Sequence, residues 1–307
     1  MKILITGSEG FIGTHLKERL QKEGHEIIGL DNMAHACKFK SSLNEFIKDD
    51  VLNIRDYEDR IKDCDFIVHL AAQIHVEKSI EDPRDTANTN FLGTLEVLEI
   101  GRKHNIPVIF ASSTEIYGDR LTETMDESHV MNPKSPYAAC KMGADGLCKA
   151  YYHTYGSKVV IVRNFNTFGK YQSNDKFGAV ISIFADRINK GLPPQIYGGG
   201  NQRRDFMGYK DAIDFYMLIL EKAYELKLWG QEFNVGMGKS ISINEVADKI
   251  IKLSGKTQLS PIHIKPRPGE VKDFVCNNTK AKSIGWNPDT DFDKLLKEYL
   301  EWKNKDR

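Results

Sequence analysis

Gly7-Ser8-Glu9-Gly10-Phe11-Ile12-Gly13 stands between an apolar, β-branched run, Ile3-Leu4-Ile5-Thr6, and a stretch where Leu16 and Leu20 recur at helical spacing up to Lys22. A second apolar run, Ile27-Ile28-Gly29-Leu30, then ends on Asp31. Strand, glycine turn, helix, strand, acid is the order that a dinucleotide site needs. Glycines let backbone approach a pyrophosphate, and a helix N-terminus offers it free N–H groups and partial positive charge. Asp31 can accept hydrogen bonds from an adenosine ribose, and its charge repels a 2′-phosphate, which favours NAD over NADP. A glycine-rich turn alone also serves simply to join strand to helix; the flanking strands and the terminal acid are what favour the cofactor reading.

Outward from this turn the chain keeps the same rhythm. Phe46-Ile47 precedes Asp50-Val51 and reads as a third strand, with Asp50 either beside the adenine or in a solvated loop. Phe66-Ile67-Val68-His69-Leu70-Ala71-Ala72 is a fourth strand, whose small last residues leave room for a ligand at its carboxyl end. Helical patterns over about 84–104 and 135–156 flank the strand Pro107-Val108-Ile109-Phe110-Ala111, and Lys158 to Arg163 forms a sixth strand. Alternation of this kind predicts an α/β doubly wound parallel sheet of Rossmann type. Beyond Arg163 it breaks: 164–178 reads as loop, and helices are expected over 179–189, 211–226, 243–253 (with a Ser242/Glu245 capping box) and from about Phe292. The expected division is a nucleotide domain over 1–164, with returning segments near 205–235, and a smaller, interleaved substrate domain over 165–307.

Composition narrows the function classes. Lys+Arg and Asp+Glu both number 43 in 307 residues, so no net field recruits nucleic acid or an anionic membrane. No apolar run is long enough to span a bilayer. The five scattered cysteines suggest neither disulfides nor a metal site, and with a start directly on a strand the expectation is a reduced, cytoplasmic protein that binds no metal.

Three groups of residues are candidates for chemistry. Tyr137 and Lys141, four apart on a helix entered through Ser135-Pro136, share one face, and a nearby cation favours the phenolate of a general base. Ser113-Thr114-Glu115 follows the fifth strand and faces the same crevice as the cofactor. Asn166, Arg203-Arg204-Asp205 and Arg267 supply cations and amides suited to phosphate. Each alone reads as readily as a solvated surface or a loop satisfying its own backbone.

Together these segments resemble the extended short-chain dehydrogenase/reductase family, the NAD-dependent epimerases and dehydratases of nucleotide sugars. Its marks here are the Gly7-x-x-Gly10-x-x-Gly13 spacing, Asp31, Asp50-Val51, His69 to Ala72, Asn90 to Thr94, the Ser113 loop, Tyr137 with Lys141, Asn164 to Gly169, Gln202 to Phe206 and Arg267-Pro268-Gly269-Glu270. The resemblance implies that NAD is held by Gly7, Gly10, Phe11, Ile12, Gly13, Asp31, Asn32, Asp50, Val51, Leu70, Ala71, Ala72, Tyr137 and Lys141. It implies that Tyr137 takes the proton of the sugar 4-hydroxyl while C4 gives a hydride to NAD, that Lys141 binds the nicotinamide ribose and lowers the tyrosine pKa, and that Ser113 bonds the 4-oxygen. A nucleotide sugar, UDP-, dTDP-, GDP- or CDP-linked, falls to Asn166, Tyr197, Arg204, Arg267 and Glu270, and the two long helices form a homodimer interface.

Glu115 discriminates among reactions. A 4-epimerase needs no base at C5, whereas a 4,6-dehydratase does, and dehydratases and UDP-glucuronate decarboxylases of the family carry a glutamate there. Many hexose dehydratases precede it with an aspartic acid; here Thr114 stands in its place, so Glu115 would serve as base and then acid, as in the GDP-mannose dehydratase branch. Lys170 where a proline is usual, and Arg203 where a threonine is usual, are further departures. The expectation is a nucleotide-sugar 4,6-dehydratase, with 4-epimerase and decarboxylase as alternatives. A non-catalytic NAD-binding regulator on the same fold would be free to lose Tyr137 and Lys141, and both are present.

Overall fold

The computed structural model describes residues 1–37, 45–172 and 179–305. The expected loop over 164–178 therefore lies partly outside the described residues. Seven strands, β1 (Lys2–Thr6), β2 (Glu26–Leu30), β3 (Glu45–Ile47), β4 (Phe66–His69), β5 (Val108–Ser113), β6 (Val159–Asn164) and β10 (Glu232–Val235), form one sheet in the order β10-β6-β5-β4-β1-β2-β3. All its pairings are parallel. The remaining strands are β7 (Asn166–Phe168), β8 (Gln195–Tyr197), β9 (Arg203–Gly208), β11 (Ser240–Ser242) and β12 (Ile262–Ile264). They make a second sheet, β11-β9-β7, and a β12-β8 pair. The helices are α1 (Phe11–Lys22), α2 (Glu58–Ile61), α3 (Val76–Glu81), α4 (Pro83–Ala87), α5 (Gly93–His104), α6 (Pro136–Tyr155), α7 (Val180–Asn189), α8 (Tyr209–Lys222), α9 (Ile243–Leu253), α10 (Thr279–Ser283) and α11 (Phe292–Lys305).

The continuous apolar runs exist because both faces of the main sheet are covered. Alternate residues of a strand point to opposite faces. Thus Ile3, Ile5, Phe66, Val68, Ile109, Val160 and Val162 enter one core with Leu16 and Leu20 of α1 and Phe215, Tyr216 and Ile219 of α8. Leu4, Ile67, Val108, Phe110, Val159 and Ile161 enter the other, with Val97, Leu98 and Ile100 of α5 and Ala144 and Cys148 of α6. A separate core is built from α7, α9, α11 and the second sheet, around Phe168, Phe184, Phe206, Ile250 and Leu296.

Several elements depart from the sequence reading. The helix expected over 84–104 is α4 and α5 joined by a widened π turn, Asn88–Leu92, and Leu92, placed on its apolar side, is exposed. Asn90 explains that turn: its side chain exchanges two hydrogen bonds with the Gln73 backbone, at 2.8 and 2.9 Å, which fixes the loop after β4. Residues 166–168, read as loop, pair with β9. The strand β9 itself was hidden by its charges. Asp205 is buried because three backbone N–H groups, of Met237, Gly238 and Cys276, donate to its carboxylate at 2.8–3.0 Å.

Capping follows the sequence. Ser135 accepts from the Ala138 N–H with Pro136 in the first turn, Gly156 ends α6 with φ +67°, and the Ser242/Glu245 capping box is formed. No helix of the described residues is long and apolar enough to cross a membrane.

Candidate active site

The glycine turn closes over the carboxyl ends of β1, β2 and β4. Gly7 (φ +72°) donates to the Leu30 carbonyl at 2.7 Å, and a Cβ there would lie 2.7 Å from the Ala71 nitrogen. A Cβ on Gly13 would fall 2.1 Å from the Gly7 oxygen. α1 begins at Gly10, which offers its first N–H groups no side-chain cap. Bare N–H groups at a glycine-built cradle are what a dinucleotide pyrophosphate requires, so these residues fit NAD. Phe11 and Ile12 open the helix, Ile12 packing against the core and Phe11 edge-on to His15.

At the ribose end Asp31 accepts from the Glu9 and Met33 N–H groups at 2.9 and 2.7 Å. Burial raises its carboxyl above the usual range, and those two bonds oppose the rise. Asn32 donates to Asp50 at 2.8 Å, and the other Asp50 oxygen caps Leu52, next to the buried Val51. Asp50 therefore stands beside the residues that follow β2 rather than in an isolated loop. Leu70, Ala71 and Ala72 line the opposite wall, half-buried. A pair that sequence reasoning missed lies beneath: Lys17 of α1, fully buried, bonds the Glu9 carboxylate.

The Ser113 hydroxyl at the end of β5 lies close enough to the Tyr137 phenol to oppose the rise that burial causes in it. Lys141, one turn along α6, is 3 % exposed and donates to the Ala111 carbonyl at 2.8 Å. Burial governs both groups in the protein alone: it pushes the Tyr137 phenol up to about 12 and the Lys141 ammonium down to about 8. In the protein alone the Lys141 ammonium is turned to the Ala111 carbonyl, and Ser113 opposes the rise of the phenol. His69, buried between Thr6 (2.7 Å) and Thr94 (3.0 Å), is held near 3 by burial and stays neutral.

Glu115 sits in the turn after Ser113, whose Oγ accepts its N–H at 3.2 Å. Burial raises its carboxyl, opposed by Arg204 and aided by Glu270 and Glu77. The Thr114 hydroxyl is buried with no hydrogen-bond partner, as is the Asn166 amide oxygen on β7. Such atoms in a cleft are open to a ligand.

The substrate-side residues converge in two groups. Arg204 pairs with Glu270 at 2.8 Å. Arg267 lies over the Tyr197 ring at 3.9 Å and pairs with Glu77 of α3 at 2.9 Å. Glu77 carried no signal in the sequence beyond an acid on a short polar helix. Arg203 turns away from all of these, onto Ser240 (3.0 Å) and Glu245 (3.2 Å). Lys170 presents its carbonyl to His15 at 3.0 Å, and His15 stacks on Tyr209 at 3.9 Å. Among the described residues no cluster of three or more His, Cys, Asp or Glu is placed to hold a metal.

Comparison with known proteins agrees with this geometry. The family model described as GDP-mannose 4,6 dehydratase matches residues 4–299. A putative UDP-glucose 4-epimerase of Methanocaldococcus jannaschii is 37% identical over 99% of each chain. Among solved structures, the UDP-glucose 4-epimerase of Thermotoga maritima with UDP-glucose superposes with TM-score 0.93 at 28% identity, covering 100% of this chain and 99% of that one. The dTDP-glucose 4,6-dehydratase DesIV of Streptomyces venezuelae with NAD bound gives 0.91 at 27%, covering 100% and 98%.

Proposed function

This chain belongs to the GDP-mannose 4,6-dehydratase family of NAD-dependent nucleotide-sugar dehydratases and epimerases, and from that premise we propose that it is a 4,6-dehydratase. The observation that carries the reading is Glu115: a carboxyl in the cleft, in the turn directly after Ser113 and within electrostatic reach of Tyr137, with its proton affinity raised by burial. A carboxylate whose proton affinity is raised is a stronger base for removing a proton α to a ketone.

NAD, held at Gly7, Gly10, Gly13 and Asp31, supplies reversible storage of one hydride from C4. Tyr137 accepts the 4-hydroxyl proton, for which the positive nicotinamide ring of bound NAD would draw its phenol down from about 12, and Ser113 beside it orients the 4-oxygen. Lys141, fixed on Ala111, bonds the nicotinamide ribose. Glu115 takes the C5 proton from the 4-keto sugar and returns it to the departing C6 hydroxyl, which leaves as water. Thr114, whose hydroxyl has no partner among the described residues, donates a hydrogen bond to that leaving oxygen. The C5–C6 double bond then receives the stored hydride at C6 and, at C5, a proton that Glu115 relays from solvent, while Tyr137 releases to solvent the proton it took from the 4-hydroxyl. Asn166, Arg204 and Arg267 hold the diphosphate and Tyr197 stacks on the base. α5 and α6, packed on one face of the sheet, form the interface of a homodimer working on carbohydrate precursors in the cytoplasm.

The 37%-identical relative named as a putative 4-epimerase favours a second reading, in which Glu115 is a bystander and the keto sugar turns over before reduction. Mass spectrometry on a panel of UDP-, dTDP-, GDP- and CDP-hexoses separates the two. Loss of water, abolished by Glu115→Gln, supports dehydration. An isobaric product made equally by Glu115→Gln overturns it.

A further inference from the structure

Both arginines that face the diphosphate are held by carboxylates of the chain itself. Arg204 of β9 is paired with Glu270, and Arg267, in the segment between β12 and α10, with Glu77. The second pair crosses the cleft, because Glu77 lies in the first turn of α3, just after β4 of the central sheet. Glu77 and Glu270 are also within electrostatic reach of Glu115. The cleft therefore gathers three carboxylates against two guanidiniums. A further ammonium among the described residues, Lys141, is committed to the Ala111 carbonyl at 2.8 Å.

A diphosphate offers a guanidinium more charge and a better bidentate fit than a single carboxylate. When Arg267 turns to it, Glu77 loses its counter-charge while remaining beside the sugar. We propose that Glu77 is a specificity-determining residue: released by the diphosphate, it makes the sugar subsite accept a neutral hexose and reject a hexuronate. This rests on the cleft being a nucleotide-sugar site, and it deepens that reading by naming the sugar class. A C6 carboxylate would sit near Glu77, Glu115 and Glu270, with the guanidiniums of Arg204 and Arg267 drawn to the diphosphate, and like charges placed together in a partly desolvated site are strongly unfavourable.

The test is calorimetric binding to the NAD-loaded protein of UDP, UDP-glucose and UDP-glucuronate, with the same trio built on dTDP, GDP and CDP. We expect the glucuronate to bind roughly tenfold or more weakly than the glucose form. Glu77→Gln is expected to close most of that gap, chiefly by tightening the glucuronate, while Glu77→Asp retains it. A thermal melt accompanies each variant, and affinity for the bare diphosphate reports how far Arg267 is freed. The ratio of the two sugars is the readout, because a merely structural loss moves both together. Equal binding of glucose and glucuronate forms by the wild type, or an unchanged ratio in a folded Glu77→Gln, overturns the inference while leaving the site intact. Failure of every nucleotide and nucleotide sugar to bind overturns the reading on which it rests.

Discussion

Replacing Gly13 by alanine tests the cofactor cradle most directly. The added methyl would stand 2.1 Å from the Gly7 oxygen, 2.9 Å from Ser8 Cα and 3.0 Å from Gly7 C. Ordinary contact begins near 3.4 Å, so one backbone segment must retreat by about 1.3 Å, the difference between 3.4 and 2.1. Gly7 cannot absorb this, since its own Cβ direction is already filled by the Ala71 nitrogen at 2.7 Å. Overpacking of this size costs about 1–3 kcal/mol of stability, and a 1 Å displacement of a positioning element lowers turnover roughly a hundredfold. The assay is NAD affinity by calorimetry beside a thermal melt. Gly24→Ala is the control: at φ +79° with nothing within 4 Å, it carries backbone strain alone, about 1–2 kcal/mol, and leaves NAD affinity unchanged. A Gly13→Ala protein with wild-type NAD affinity and melting temperature would refute the assignment of this turn.

Three further outcomes follow from the geometry. Thr114→Val removes a buried hydroxyl that has no partner among the described residues, so the melting temperature should hold or rise while turnover falls about tenfold; a drop in stability with unchanged turnover would make Thr114 structural only. His15 is held near 4 by burial, against 6.5 in an unfolded chain, so its contribution to stability is complete above pH 6.5 and is lost as pH falls through 4. The unfolded chain binds the extra proton across that window, at about 1.4 kcal/mol per pH unit. Chemical denaturation of His15→Phe, which keeps the ring stacking on Tyr209, should show an acid limb shallower by about one proton; an unchanged limb excludes His15 as its source. Arg203→Met breaks part-buried contacts to Ser240 and an exposed one to Glu245, so it should cost about 1 kcal/mol and leave the KM for the nucleotide sugar unaltered; a several-fold rise in KM would return Arg203 to the substrate.

What could be read from the chain depended on how local the cause was. The strands from β1 to β6 were legible because burial on both faces forces runs such as Ile3-Leu4-Ile5, and α6 because Ser135, Pro136 and Gly156 mark its ends within its own sequence. β9 was not, since Arg204 and Asp205 look like surface charges until Glu270 and the N–H groups of Met237, Gly238 and Cys276 are brought to them from far along the chain. The same holds at the candidate site. Tyr137 and Lys141, whose spacing alone suits a solvated helix face, were singled out by the family resemblance of the whole chain, and their electrostatics depend on burial, which no spacing reveals. Glu77 was silent because its partner, Arg267, lies in a remote turn. The question of which way Arg203 points was settled only by Ser240 and Glu245, two segments away.

The position of β10 bears on how the protein is made. β6 ends at Asn164, but its other neighbour in the sheet, β10, is not reached until Glu232. A ribosome therefore releases β7, β8, β9 and α8 while the main sheet still has an unpaired edge. Those strands must wait in turn, because β9 gains its antiparallel partner only at Ser240–Ser242. Neither layer can finish before the other is well under way, so a stalled or clipped chain ending between 165 and 231 should expose strand edges and adhere to its like rather than fold in part. Co-translational folding of this molecule is, on that account, a single late event rather than two successive ones.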